Sequence, residues 1–271
     1  FFGITIVICW LDGLGNIATT SYTYSGGSYY FNNPTDKRFA GFEKVTETKP
    51  DGTKVINYYH QGNDTNMGNY EYSDNYSKIG KIYRTDIMSS SSTLVDRVTT
   101  KYEVTNLSTD RNFVYPVQTI HERDTASDAN TYNWNTSTGD LSDKIEWGSV
   151  SASSPLLFAD IGNDKRTTSY TYLSNTTTNV TVPNNIQIKD QGGNKINEQV
   201  ITYDNGTLAK GLPTNIASWV STSTYNNSQK SYNSFGQVLT ETDPRGKVTT
   251  YTYDAPSLFV ATITRPLSLT S

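Results

Sequence analysis

The sequence predicts an all-β chain built of serial antiparallel hairpins. Three observations carry this. Thr, Ser and Asn dominate the polar residues and 20 tyrosines accompany them, and Thr and Tyr favour the pleated strand. No long window places apolar residues at helical spacing. Short alternating runs punctuated by Gly, Asn, Asp and Pro recur along the chain, the pattern of consecutive hairpins.

Residues 1–11 form an apolar run. It is too short to span a bilayer and lacks the basic start of a signal peptide. It reads as a buried strand or as the edge of a fragment, with Cys9 as a buried, unreactive thiol. Both chain ends look cut from something longer. Asp12-Gly13-Leu14-Gly15-Asn16 is glycine-rich, but no helix pattern follows, so it is not a phosphate cradle.

Repeats come next. Thr19-Thr20-Ser21-Tyr22-Thr23-Tyr24 recurs as Thr167-Thr168-Ser169-Tyr170-Thr171-Tyr172. Thr46-Glu47-Thr48-Lys49-Pro50-Asp51-Gly52 matches Thr240-Glu241-Thr242-Asp243-Pro244-Arg245-Gly246. In both, Pro50 and Pro244 fall at the second position of a type I turn and Gly52 and Gly246 at the fourth. The strand after Gly246 should put Thr249, Tyr251 and Tyr253 on one face and Val248, Thr250 and Thr252 on the other. A weaker copy ends in Tyr203-Asp204-Asn205-Gly206, where Asn-Gly favours a type I′ turn. Units of this kind cannot bury their faces alone and must stack.

Composition narrows the function. The chain has 271 residues, enough for a sizeable core. Only 34% are hydrophobic, which excludes a multi-span helical membrane protein, and only 18% are charged, which argues against a highly charged disordered chain. The net charge of −4 leaves no basic footprint for nucleic acid. One cysteine excludes an internal disulfide.

Signals for chemistry are sparse. His60 and His121 are the two histidines, and neither sits at metal-ligand spacing, so no zinc site is expected. His60 reads as a packing or hydrogen-bonding residue at a strand end. No G-x-S-x-G elbow occurs. Gly62-Asn63-Asp64-Thr65-Asn66 and Ser73-Asp74-Asn75 carry calcium-ligand types without EF-hand spacing and read as polar loops. Asp243 and Asp254 read as turn residues. The expectation is no catalytic residue, no metal and no cofactor.

Near the C-terminus, Tyr232, Gly236, Asp243, Pro244, Gly246, Tyr251, Tyr253 and Asp254 lie in one unit. It closely resembles the Rhs/YD-repeat family. Earlier, Asp36-Lys37-Arg38-Phe39-Ala40-Gly41-Phe42, then Pro50-Asp51-Gly52-Thr53, Tyr58-Tyr59-His60-Gln61-Gly62 and Gly80-Lys81-Ile82-Tyr83-Arg84-Thr85-Asp86 follow in order. That series is similar to the B components of bacterial Tc-type insecticidal toxin complexes and to SpvB-like proteins.

The resemblance implies a curved strip of hairpins, an arc of a large hollow shell that encloses or presents a toxin. It implies bacterial secretion or surface display, and partnership with the rest of the shell or with a toxin subunit. The expected layout is residues 1–11 as an apolar N-terminal strand or fragment edge that fits no repeat, 12–123 as a Tc-B-like hairpin region, 124–164 as an irregular connecting segment and 165–271 as YD-repeat hairpins. The alternative is a carbohydrate-binding surface module. It would stack glycans on Tyr22, Tyr24, Tyr170 and Tyr172, with Trp134 and Trp147 as further exposed rings.

Overall fold

Strand after strand forms a hairpin with its successor, as the alternating runs dictate. A computed structural model describes residues 4–266, apart from 12, 16, 109, 110 and 155. Residues 1–3, Asp12, Asn16 and the C-terminal residues 267–271 lie outside the described residues. The chain divides into two compact units, residues 1–166 and 167–271. The first holds β1 (Ile4–Leu11), β2 (Ile17–Asn33), β3 (Asp36–Thr48), β4 (Lys54–Tyr59), β5 (Ile82–Met88), β6 (Leu94–Ser108), β7 (Arg111–Arg123), β8 (Ala126–Asn135), β9 (Asp140–Ser154) and β10 (Leu157–Asp160). The second holds β11 (Arg166–Asn175), β12 (Val180–Lys189), β13 (Lys195–Tyr203), β14 (Pro213–Ser221), β15 (Thr224–Tyr232), β16 (Val238–Thr242), β17 (Val248–Tyr253) and β18 (Val260–Thr264). Within each unit every strand pairs antiparallel with the next. The chain is all-β, and no described helix is long and apolar enough to cross a membrane.

One turn closes five of these hairpins. Gly246 N–H donates to Asp243 O at 2.9 Å, and Asp243 N–H donates to Lys247 O at 2.9 Å. The Asp243 carboxylate accepts the N–H groups of Arg245 and Lys247. Gly246 has φ +76°, the left-handed conformation that glycine adopts without penalty. The same pair of main-chain bonds spans 49–53, 89–93, 190–194 and 233–237. Pro50 and Gly52 therefore stand where Pro244 and Gly246 stand. Asn205-Gly206 takes φ values of 54° and 96°, as a type I′ turn requires, but it opens a longer loop that runs to Pro213.

A second device repeats at the other end of the strands. Thr202 faces Asn215 and Tyr203 faces Pro213, so Thr214 is one extra residue, a β-bulge. The same slip occurs at Tyr29/Phe39, Tyr59/Ile82, Tyr102/Pro116, Trp134/Leu141, Tyr172/Pro183, Tyr232/Val238 and Tyr253/Val260. The aromatic ring then reaches back to the carbonyl of the preceding slip. Tyr203 Oη donates to Pro183 O at 2.7 Å, Tyr232 Oη to Pro213 O at 2.8 Å and Tyr253 Oη to Val238 O at 2.8 Å. Trp134 Nε1 does the same to Pro116 O at 2.8 Å. The residue after the ring closes the corner: N–H groups of Asp204, Asn233 and Asp254 donate to Leu212 O, Gln237 O and Phe259 O. Asp254 Oδ1 also accepts Leu258 and Phe259 N–H, so it is a turn residue.

The predicted faces of β17 hold: Thr249, Tyr251 and Tyr253 are half-buried and the intervening residues exposed. Three expectations are corrected. The described part of the N-terminal run, β1, is exposed along its whole length, and Cys9 with it. Its main chain hydrogen-bonds to β2, but its apolar side chains stay exposed. Residues 124–164 are regular strand, not an irregular connection, because β8, β9 and β10 run through them. They contribute an apolar cluster in which Ala129 and Val150 meet Ile120, flanked by Trp147, Ala152 and Phe158. Trp134 and Trp147 are half-buried rather than free, and Trp147 Nε1 donates to Thr131 Oγ1.

The ring-to-carbonyl bonds set the first prediction. Tyr203→Phe strands a covered carbonyl and should cost about 1–3 kcal/mol in urea unfolding. Tyr251→Phe removes a bond to the half-exposed Glu241 and should cost under about 0.5 kcal/mol. Equal effects for the two variants would show that the bulge contact carries no special weight.

Candidate functional site

The most buried region of the first unit is polar. His60, Gln61, Glu71, Lys78, Arg84, Asp86 and Thr99 are all buried there, with Tyr83 beside them. The reason begins in the repeat. Tyr59 is the aromatic of one bulge, so His60 stands where Asp204 and Asp254 stand elsewhere. His60 N–H donates to Lys81 O at 3.0 Å, the bond the aspartates make at their corners. The short turn expected after it is replaced by residues 61–80, a folded loop with two 3₁₀ turns, Met67–Asn69 and Tyr76–Lys78.

This loop is built on two carboxylates. Glu71 Oε2 accepts Asn66 N–H at 2.8 Å. Asp74 Oδ2 accepts the N–H groups of Asn63 and Asp64 at 2.9 and 3.2 Å, while Asp74 N–H donates to Thr65 Oγ1. The two segments that read as separate polar loops, 62–66 and 73–75, are thus one structure. Both carboxylates turn their remaining oxygen to the same atom: His60 Nδ1 lies 2.9 Å from Glu71 Oε1 and 3.2 Å from Asp74 Oδ1. Lys78 is buried nearby and donates from Nζ to Tyr72 O and Ser73 O. Gly62 fits where a side chain would not: a Cβ there would lie 2.7 Å from Tyr76 Cα, and its φ is +70°.

Side chains tie the loop to the strands. Gln61 Nε2 donates to Gly26 O and Gly41 O, and Asn63 Nδ2 to Ser28 Oγ. Asn112 Nδ2 donates to Tyr76 Oη and Ser77 Oγ. Tyr30 stacks on Tyr76, and Arg38 lies over both rings. Beneath Tyr70, Asp86 takes two guanidiniums at once. Arg84 Nε and Arg97 Nε each donate to Asp86 Oδ1 at 2.8 Å, and both NH2 groups reach Oδ2. Arg84 and Arg97 also lie over the Tyr70 ring, at 5.0 and 4.7 Å.

The electrostatics follow from these contacts. Burial raises the Asp86 carboxyl, but the two arginines outweigh it and hold it below the usual range. Burial pushes the Tyr83 hydroxyl up, so it stays protonated, and it has no hydrogen-bond partner among the described residues. Burial likewise lowers the Lys78 ammonium, partly offset by Glu103, Asp74 and Glu71.

His60, Glu71 and Asp74 are the one group of three with ligand atoms within 4.8 Å among the described residues. The donor set does not fit a metal ion. The other oxygen of each carboxylate is already occupied by main-chain N–H. His60 Nε2 is buried without an acceptor, whereas a ligating ring passes its second N–H to one. Lys78 adds a cation close by.

Elsewhere the polar residues serve the strands. His121 bonds Asp96 through Nε2 and accepts Arg123 through Nδ1, so neither ring nitrogen faces a hydroxyl. Tyr22 Oη donates to Glu47, and Tyr24 packs on Phe42 at 5.2 Å. Tyr172 is a bulge ring, and Tyr170 is half-buried on the same strand. Glu198 accepts Lys195, Tyr225, Asn185 and Gln187, and the bonds from Lys195 and Tyr225 above all drive its carboxyl down to about 2.

Sequence reading gave His60 a packing or hydrogen-bonding role at a strand end and left Asp74 in a polar loop; it assigned no role to Glu71, Lys78, Asp86 or Arg97. The available signal was His60 itself, standing in the aspartate position after Tyr59 and before an unusually long turn.

Comparison with known proteins decides the repeat. Residues 232–255 match the RHS Repeat family model. The chain carries an RHS repeat. The bulge and corner of this repeat recur at Tyr203 in the second unit and at Tyr59 in the first. The fold is that of a segment of TcdB2-TccC3. The chain overlays the crystal structure of TcdB2-TccC3-Cdc42 with a TM-score of 0.62 and 10% identity. The forms without the hypervariable C-terminal region and with TEV give 0.60 at 10% and 0.55 at 12%. In each case 93% of this chain is covered, and it spans 20% of that one. A sequence comparison with curated proteins finds no match.

The Asp86 cluster sets the second prediction. Asp86→Ala leaves the buried Arg84 and the partly buried Arg97 without their carboxylate and should cost about 3 kcal/mol in equilibrium unfolding. Asp128→Ala, which removes an exposed partner of Arg123, should cost under about 1 kcal/mol.

Proposed function

We propose that this chain is a structural segment of an Rhs-type shell that encloses or presents a toxin, without catalysis of its own. The observation that carries the reading is the overlay of nearly the whole chain on one fifth of TcdB2-TccC3. The serial bulges support it, because each hairpin hands its ring to the next and the device has no natural stop. The polar core supports it too: its ionisable groups are locked in pairs, which suits a scaffold better than a reacting centre. On this reading the chain works in a secreted or surface-displayed bacterial assembly, with the rest of the shell or a toxin subunit as partner.

A glycan-binding module would need rings free of the sheet's own contacts. Tyr22, Tyr24 and Tyr172 are engaged in the sheet, so the shell reading takes precedence.

Reading outward along the gene tests it, followed by electron cryomicroscopy of the whole encoded product. Further Tyr-Asp hairpins, a divergent C-terminal segment and density for a closed wall around a cargo are expected. A product limited to these strands that binds on a glycan array would overturn the reading.

A further inference from the structure

We propose that His60, Glu71 and Asp74 form a proton-operated latch, which holds residues 61–80 against the strands and lets go when His60 loses its proton. The geometry carries this. One ring nitrogen sits within hydrogen-bond distance of two carboxylates, and the ring is fully buried. Both carboxylates meet Nδ1, so a neutral imidazole offers them the same N–H but no charge to balance two anions. An imidazolium attracts both. The same carboxylates hold the loop's own main chain through Asn63, Asp64 and Asn66. Loss of the ring's charge therefore acts on the two groups around which the loop is folded.

The surrounding groups leave His60 as the one that switches first. From within the loop Lys78 faces the carboxylates. β5 contributes Tyr83 and Arg84, β6 contributes Tyr102, Lys101 and Glu103, and β3 contributes Glu43. Burial raises Tyr83 and Tyr102, so both stay neutral. Lys78 is lowered by burial, and its loss at higher pH removes a second cation, which acts in the same direction.

Burial lowers the ring's own affinity for a proton, but the bonds to Asp74 and Glu71 outweigh it and place His60 above its ordinary value. Asp74 moves the other way: burial raises it, and His60 with three main-chain N–H groups pulls it below its ordinary value. The signs then follow. A raised histidine gives stability that is complete below its unfolded value, about 6.5, and lost as pH rises through the folded value. A lowered aspartate gives stability that is present above about 3.9 and lost only as pH falls through its folded value. The latch is closed between these limits and opens on the alkaline side first.

Amide hydrogen exchange of the full chain, read by mass spectrometry from pH 5.5 to 8.5 and corrected for intrinsic rates, tests the latch. Peptides from residues 61–80 should lose protection above about pH 6.5, by up to about tenfold per pH unit, while those from β11–β18 hold theirs. His60→Gln should abolish the pH dependence, and Asp74→Asn should move it to lower pH. Should His60→Gln fail to fold, ring-nitrogen chemical shifts of the unaltered chain read the proton directly. A His60 ring already neutral at pH 6, or a transition that survives in His60→Gln, would overturn the latch. So would protection at pH 5.5 that EDTA removes, because the three side chains would then be holding a metal ion.

Discussion

A ring at the end of one strand, bonded to a main-chain carbonyl of the strand before it, is the contact on which the rest of this structure depends. A β-bulge leaves ladder groups without their regular partners. Left unpaired under a ring, such a carbonyl would cost free energy comparable to a lost hydrogen bond. Tyr203, Tyr232, Tyr253 and Trp134 supply the donor and the cover together. A tyrosine suits this role because its body is apolar and its tip is polar. Each ring also fixes register, since a slip by one residue would move it to the other face. A chain poor in aliphatic residues can thus hold a long series of hairpins without a thick hydrophobic core.

The first unit shows what happens when the corner after the ring is enlarged. Where Asp254 caps a short turn, His60 anchors residues 61–80. That loop lies over strands that would otherwise be half-exposed, and it brings charged groups inside. Buried charges of this kind are costly unless paired, and removal of one partner is more destabilising than the pair is stabilising. The observed pairing is complete for Asp86, which takes two arginines, and for Glu71 and Asp74, which share His60. Such a core specifies one loop conformation more strictly than aliphatic packing would, because every alternative leaves a buried charge alone.

The charged groups of the first unit's polar core are committed to one another. Exposed apolar side chains run along β1 and β18 and also stand on other strands and loops. The likeness to TcdB2-TccC3 stands at 10–12% identity, so it speaks for the fold.

What the sequence determined by itself is the local chemistry of the repeat. Asp243-Pro244-Arg245-Gly246 could form one kind of turn, and Thr249, Tyr251 and Tyr253 could share one face, because turn type and strand period depend on neighbours in the chain. The Tyr-Asp corners were legible for the same reason. The exposure of β1 was not, since burial depends on what lies over a strand and not on how apolar it is. Nor was the regular structure of residues 124–164, where Trp134 replaces the repeat tyrosine. The polar core was decided by tertiary structure alone. Asp86 meets Arg97 only through the register of β5 on β6. Glu71 and Asp74 meet His60 only because residues 61–80 fold back over the strand that His60 ends. Pairing across a sheet and closure of a long loop bring together residues whose spacing in sequence carries no mark of their meeting.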